Sequence, residues 1–361
     1  MGSTYSCTNQ LFLEDEKTSG VESKNQTKLS GDELEKGIPG LFAIQSDGSV
    51  ARSSILYPNV DACQAYGDGV ACKDVVVDSE KGLIARIFVP RRQKHEEQCS
   101  IHHRLPVTVY VHGGGFCMFS ASTVIFHEFC KKMAQKANTL VVSINYRLAP
   151  EHRLPTAYND CFIFLKWLQS QARQKDRSIV DPWLDCYADY SRCFWLGESA
   201  GANIVHHIAL RAATEDLRPL QVKGIILTQP FFGSETRTIS EIKLDNDENV
   251  IPVALCDEFW KFSLPLGANR DHPYANPINE ILPPLSKIDL PRMLVVVGGL
   301  DPLRDLQIAY VNHLQVAGKN VKLLYFEEGL HGFAFFPHQE IYAAIMETYV
   351  VRFMHRNSKQ T

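Results

Sequence analysis

Short apolar runs rich in valine, isoleucine and leucine alternate along this chain with segments whose apolar residues recur every three or four positions. The runs 107–111, 139–144, 193–196, 222–228, 293–297 and 321–326 read as strands. Between them, 122–137 carries Ile125, Phe129 and Met133 on one stripe, and 156–171 carries Phe162, Leu165 and Leu168; both have helical spacing. Further helices are expected after Gly201, over 302–316 and over 339–353. A continuously apolar strand has to be buried on both faces, and the intervening helices supply the cover. The pattern therefore predicts an α/β fold built on a mostly parallel, twisted sheet.

The flanks of this alternation read differently. Residues 40–50 suggest a hairpin around Ser46-Asp47-Gly48, and 73–77 with 83–89 suggest a second strand pair. The polar piece 91–104 reads as a surface loop, and the polar segment 1–36 as a mobile arm. The rhythm breaks once more over 233–277, with a charged loop at 240–249 and a helix-like piece at 255–262. This insertion and the arm are the expected halves of a lid over a main domain spanning 37–361.

Composition narrows the function. With 361 residues the chain can bury a large core, and a net charge of −4 offers no basic footprint for nucleic acid or anionic membrane. Ten cysteines are scattered without a Cys-x-x-Cys pair, which favours reduced, buried thiols over a disulfide framework or a metal site. No P-loop, dinucleotide fingerprint or metal-ligand spacing occurs, so no cofactor and no metal are expected. The first residues lack an apolar signal core and no later run is long enough to span a bilayer. The expectation is a soluble cytoplasmic protein, with the nucleus also open to it, acting as a monomer or homodimer on a small molecule.

The chemistry is carried by Gly197-Glu198-Ser199-Ala200-Gly201, placed between an apolar strand and a helical pattern. Strand, sharp turn and helix are the context of a nucleophile elbow, which presents a serine hydroxyl at the end of a sheet. The pentapeptide alone arises by chance in roughly one chain in ten of this length, so its weight depends on partners. A serine nucleophile needs a histidine base and a carboxylate to orient it. Asp301 and His331 each follow a strand downstream of Ser199, in the order Ser, acid, His. Asp305 competes with Asp301 but falls inside the next helix. Developing negative charge on a carbonyl oxygen needs preorganised N–H donors. The turn His112-Gly113-Gly114-Gly115 follows the strand at 107–111 and supplies them from Gly114 and Gly115, together with Ala200; His112 ties the loop down. Gly113, Phe116, Cys117, Met118, Phe119, Phe231 and Phe333 follow the same strand ends and form the expected apolar substrate pocket, while Phe232 is expected in the core. His206 and His207 read as helix or surface residues.

These motifs, with Tyr146-Arg147-Leu148-Ala149-Pro150-Glu151-His152, Asp301-Pro302-Leu303-Arg304-Asp305 and His331-Gly332-Phe333, resemble the plant carboxylesterases of the hormone-sensitive-lipase group of α/β hydrolases. The resemblance runs from about Gly40 to the C-terminus, and Glu198 stands where that family more often has aspartate. It implies the α/β-hydrolase fold and hydrolysis of a small lipophilic ester or lactone through Ser199, His331 and Asp301. It gives the Tyr146–His152 segment a structural role. The same group contains gibberellin receptors that have lost the histidine, and lyases or cyclases of specialised metabolism that keep the site. The presence of His331 counts against a pure receptor and leaves elimination or cyclisation as the alternative to hydrolysis.

Overall fold

β-Branched runs become strands where helices can cover both of their faces. The computed structural model describes residues 37–55, 57–91, 104–245, 247–279 and 284–356; the arm 1–36 and most of the polar piece after Arg91 lie outside them. The described residues divide into two units, with the boundary between Ala51 and Arg52. In the first, strands β1 (Gly37–Ile38) and β2 (Phe42–Ile44) pair antiparallel, and β3 (Val50–Arg52) adds to β2. The turn between β2 and β3 is closed by Gly48 N–H donating to the Gln45 carbonyl at 2.9 Å, with the Asp47 carboxylate accepting from Ser49 N–H at 2.9 Å. This is the hairpin read from Ser46-Asp47-Gly48.

The second unit is organised around an eight-stranded sheet. Its strands are β4 (Val70–Asp78), β5 (Leu83–Pro90), β6 (Leu105–Val111), β7 (Leu140–Asn145), β8 (Ala188–Glu198), β9 (Val222–Thr228), β10 (Met293–Leu300) and β11 (Val321–Leu330). The spatial order is β11-β10-β9-β8-β6-β7-β5-β4. From β6 to β11 all neighbours are parallel, whereas β5 runs antiparallel to both β4 and β7. Every residue of β6 is buried, as a central parallel strand requires.

Helices α1 (Val124–Lys136), α2 (Thr156–Arg173), α3 (Pro182–Tyr187), α4 (Ala200–Ala212), α5 (Ile239–Leu244), α6 (Val253–Ser263), α7 (Arg304–Val316) and α8 (Glu340–His355) complete the fold. α1 and α8 pack on each other and on the sheet, where Phe126, Phe129, Met133, Met346 and Val350 meet Phe88, Phe194 and Val296 in the main core. α4 packs on β6, β8 and β9, with α2 behind it, and α7 packs on β10 and β11.

Three readings change. The charged segment expected as a loop at 240–249 begins with helix α5, closed by a capping box in which the side chains of Thr238 and Glu241 satisfy each other's backbone N–H. α3 was not anticipated; it is short, starts with Pro182 at its first position and is capped by the Asp181 carboxylate. Cys186 is disulfide-bonded rather than a reduced thiol, while Cys72, Cys117, Cys130, Cys161, Cys193 and Cys256 are free and buried as expected.

Parallel strands all end at one edge, so register decides what meets there. Val111 of β6 lies beside Gly197 of β8, Glu198 beside Thr228 of β9, Thr228 beside Val296 of β10, and Leu300 beside Leu330 of β11. The residues that follow β6, β8, β10 and β11 therefore converge, although they are spread from position 112 to position 331.

Candidate active site

β8 ends at Glu198 and α4 begins at Ala200, which leaves Ser199 alone to turn the chain. It does so at φ 52° and ψ −119°, a conformation that L-residues rarely adopt and that tertiary contacts must hold. Ser199 N–H donates to the Thr228 carbonyl at 2.9 Å, and Phe231 N–H donates to the Ser199 carbonyl at 3.0 Å. Gly201 is required by close approach: a methyl group there would lie 2.5 Å from the His112 carbonyl oxygen.

The structure brings Ser199, His331 and Asp301 into one relay. Ser199 Oγ is 2.9 Å from His331 Nε2, and His331 Nδ1 is 2.8 Å from Asp301 Oδ2. A carboxylate only accepts, so the Nδ1 proton points to Asp301 and Nε2 presents its lone pair to the serine hydroxyl. Burial by itself would lower the His331 pKa. The charge and hydrogen bond of Asp301, with the charge of Glu198, outweigh it and leave the pKa raised.

Asp301 is fully buried. Its Oδ1 accepts from Leu303 N–H at 2.9 Å, and its Oδ2 also accepts from Gln307 Nε2 at 2.9 Å and Gln229 Nε2 at 3.2 Å. Asp305 is turned away: it accepts from Ser240 N–H at 2.7 Å and pairs with Arg304 at 2.9 Å. Gln229 and Gln307 escaped the sequence reading. Gln229, at φ 44°, also donates to the Leu330 carbonyl and accepts from Gly332 N–H, both at 2.8 Å. One side chain thus ties the acid to both ends of the histidine.

After β6 the chain passes through Gly114 at φ 104° and Gly115 at φ 59°. Among the described residues, the N–H groups of Gly114, Gly115 and Ala200 have no backbone acceptor. The loop is held from outside. His112 Nδ1–H donates to the Gly113 carbonyl at 2.8 Å, and its ring stacks on Tyr146 with centroids 4.4 Å apart. Burial pushes the His112 pKa down to about 4, so the ring is neutral. Tyr146 O–H donates to the His112 carbonyl at 3.0 Å, and Arg52 donates to the carbonyls of Cys117 at 2.6 Å and Ala149 at 2.9 Å while pairing with Glu151. The segment 146–152 is a brace for this loop.

A sequence profile described as the alpha/beta hydrolase fold matches residues 108–335, and one described as the carboxylesterase family matches 52–151. Probable carboxylesterase 9 of Arabidopsis thaliana is 39% identical over 294 residues, covering 80% of this chain and 88% of that protein. The 3-O-acetylpapaveroxine carboxylesterase CXE2 of Papaver somniferum is 41% identical over 264 residues, covering 72% and 83%. The chain belongs to the plant carboxylesterases of the hormone-sensitive-lipase-like group of α/β hydrolases. Among solved structures, the thermostable carboxylesterase EstE1 from a metagenomic library superposes with a TM-score of 0.64 at 26% identity, covering 82% of this chain and 92% of that one. The carboxylesterase relatives and the esterase structure support a carboxylic ester hydrolase of that fold.

Around the relay of this carboxylesterase the aromatic residues divide. Phe116 and Phe231 pack on Trp260 of α6, with ring centroids 5.4 and 4.7 Å away. The neighbouring Phe259 lies against the glycine loop, where a methyl group on Gly115 would come 2.6 Å from its Cδ2. The mid-chain insertion therefore reaches the glycine loop through α6, whose Phe259 and Trp260 had no local motif to reveal them. Cys117 and Met118 are buried in the same loop. Phe119 packs edge-on to Tyr57 at 5.8 Å and Phe126 at 5.7 Å. Phe333, expected in the pocket, belongs to the main core, 4.9 Å from Phe326 and fully buried; the turn after His331 points it inward beneath the sheet edge. Phe232 is in the core as expected, against Tyr310. His206, read as a helix or surface residue, is on α4 but buried, its Nδ1 2.8 Å from the Tyr310 hydroxyl.

Proposed function

We propose that the chain is a serine carboxylesterase that hydrolyses a small lipophilic ester or lactone. The observation that carries this reading is the continuous relay from Ser199 through His331 to Asp301, at 2.9 and 2.8 Å. Ser199 Oγ attacks the ester carbonyl carbon as its proton passes to His331 Nε2. Asp301 holds the Nδ1 proton and stabilises the imidazolium. The carbonyl π electrons move onto oxygen, which accepts from the N–H groups of Gly114, Gly115 and Ala200. As the intermediate collapses, the C–O bond to the alcohol breaks and His331 returns the proton to it. Water, deprotonated by His331, then attacks the acyl-enzyme, and Ser199 regains its proton when the acid leaves. The aromatic groups Phe116, Phe231, Phe259 and Trp260 around the glycine loop support an apolar substrate. The relative that acts on 3-O-acetylpapaveroxine supports an acylated specialised metabolite as the substrate class.

The test is p-nitrophenyl acetate hydrolysis by wild type and Ser199→Ala. The expected loss in kcat is at least about 1000-fold; equal rates in the two proteins remove the proposal. A screen of plant metabolite esters and lactones with product masses determined separates hydrolysis, which adds water, from elimination or cyclisation, which does not.

A further inference from the structure

Glu198, the departure from the family pattern, has a side chain with no part in the relay. It is buried. A methyl group on Gly113 would overlap its Oε2, and one on Gly332 would lie 3.9 Å from its Oε1. The carboxylate therefore occupies the space between the glycine loop and the residue that follows His331. No hydrogen bond or ion pair reaches it among the described residues. A buried carboxylate without such a partner is costly, and a compensating charge close by is what offsets the cost. The titratable groups facing it are His331 after β11, Asp301 after β10, Tyr110 on β6 and Tyr146 after β7. Tyr110 and Tyr146 have their pKa values pushed well up by burial, and His112 beside Gly113 stays neutral. Of these groups, His331 is the one that becomes cationic in the proposed reaction.

We propose that Glu198 is a positioning residue acting through His331, a second counter-charge beside Asp301 for the imidazolium formed when Ser199 gives up its proton. The inference rests on the serine-esterase reading. Its electrostatics agree. Burial raises the Glu198 pKa to about 7, with the Asp301 charge adding to it and His331 opposing it, and Glu198 in turn raises His331. Glu198 is thus ionised above about pH 7, where a serine esterase needs its base neutral, and the two groups titrate as a coupled pair.

The experiment is the pH dependence of kcat/KM and kcat for p-nitrophenyl acetate in wild type, Glu198→Gln and Glu198→Asp, with the imidazole nitrogen NMR titration of His331 alongside. In Glu198→Gln the acid limb is expected to move down by about one pH unit, and the plateau kcat to fall about tenfold with KM little changed. Glu198→Asp should recover most of both. The His331 signal should titrate in two steps in wild type and in one step, at lower pH, in Glu198→Gln. An unchanged limb and kcat in a folded Glu198→Gln protein would overturn the proposal. If that variant does not fold, a single-step His331 titration in wild type overturns it. Loss of the serine-esterase reading would instead appear as no Ser199-dependent hydrolysis, whereas the NMR titration tests the Glu198–His331 coupling without turnover.

Discussion

Replacing Asp301 with asparagine separates the charge of the proposed relay from its shape. Asp301 Oδ2 receives three donors, from His331, Gln307 and Gln229, whereas Oδ1 receives one, Leu303 N–H. An asparagine amide will therefore turn its NH2 towards Leu303, where a single pair of donors faces each other. A buried N–H left without an acceptor costs about 1–3 kcal/mol, which is the expected loss of stability. In this orientation His331 Nδ1–H keeps an acceptor and the tautomer survives; what disappears is the negative charge. A counter-charge at this range is worth about 1–3 pKa units to an imidazole, and each unit is about 1.4 kcal/mol. The imidazolium, and with it the transition state, should lose about 10- to 1000-fold in kcat/KM. The acid limb of the pH profile should move down by the same one to three units. The opposite amide orientation would place NH2 against Nδ1–H and force the proton to Nε2, with a loss beyond about 1000-fold. The assay is kcat/KM for p-nitrophenyl acetate between pH 5 and 9, with urea unfolding of the same samples. A folded Asp301→Asn protein with kcat/KM within about threefold of wild type and an unmoved acid limb would refute the assignment of Asp301 and return attention to Asp305.

Two further outcomes follow from packing and burial. Gly201→Ala would set its methyl 2.5 Å from the His112 carbonyl oxygen and 2.6 Å from the Val111 carbonyl carbon. Neither backbone group can swing aside, so a loss of about 3 kcal/mol in urea unfolding is expected, and a change under about 0.5 kcal/mol would contradict the close approach. Burial lowers the pKa of His112, His127 and His207 to about 4 each, with Arg86 adding to the effect at His127, and it holds His206 well below its ordinary value. Above the unfolded value of 6.5 both states of these four rings are neutral; below it the unfolded chain takes up four protons that the folded chain refuses. Glu198, protonated in the folded state below about 7, offsets one of them. Stability should therefore fall between about pH 6.5 and 4 with a slope near three protons, and a flat unfolding midpoint across that window would disprove it.

Much of the sheet and the three relay residues were legible because the signals are local. The apolar runs that became β6 to β11 are strand-length and rich in β-branched residues, and each is followed by the turn or helix pattern that parallel pairing needs. Ser199 was marked by its own strand-turn-helix context. Asp301 and His331 were found by a positional rule, since parallel strands deliver whatever follows them to one edge. Asp301 could be separated from Asp305 because the helix takes over at Arg304, which carries Asp305 away from the strand end. Even α5 carried a readable signal in Thr238-x-x-Glu241, which the run of charges around it obscured.

What sequence did not reveal depends on contacts between distant positions. Gln229 follows β9 with no motif, yet it reaches Asp301, Leu330 and Gly332 because β9 lies next to β10 and one strand from β11. Gln307 is one turn into α7, on the face that returns to Asp301. Neither position is distinguishable from an ordinary polar residue until strand order is known. Phe333 shows the reverse failure: position after a strand end was right, but the turn at Gly332, at φ 73°, sends the next side chain into the core. Glu198 combines both cases. Its place before Ser199 was evident, but whether that carboxylate faced solvent, a salt bridge or the histidine depended on Gly113 and Gly332 leaving room for it. Three glycines distant in sequence thus matter to the proposed chemistry in different ways: Gly201 lets α4 approach β6, and Gly113 and Gly332 leave a space that a side chain of the neighbouring strand fills. A substitution at Gly113 would therefore reach His331 through the displaced carboxylate, even where its own N–H has no part in holding the oxyanion.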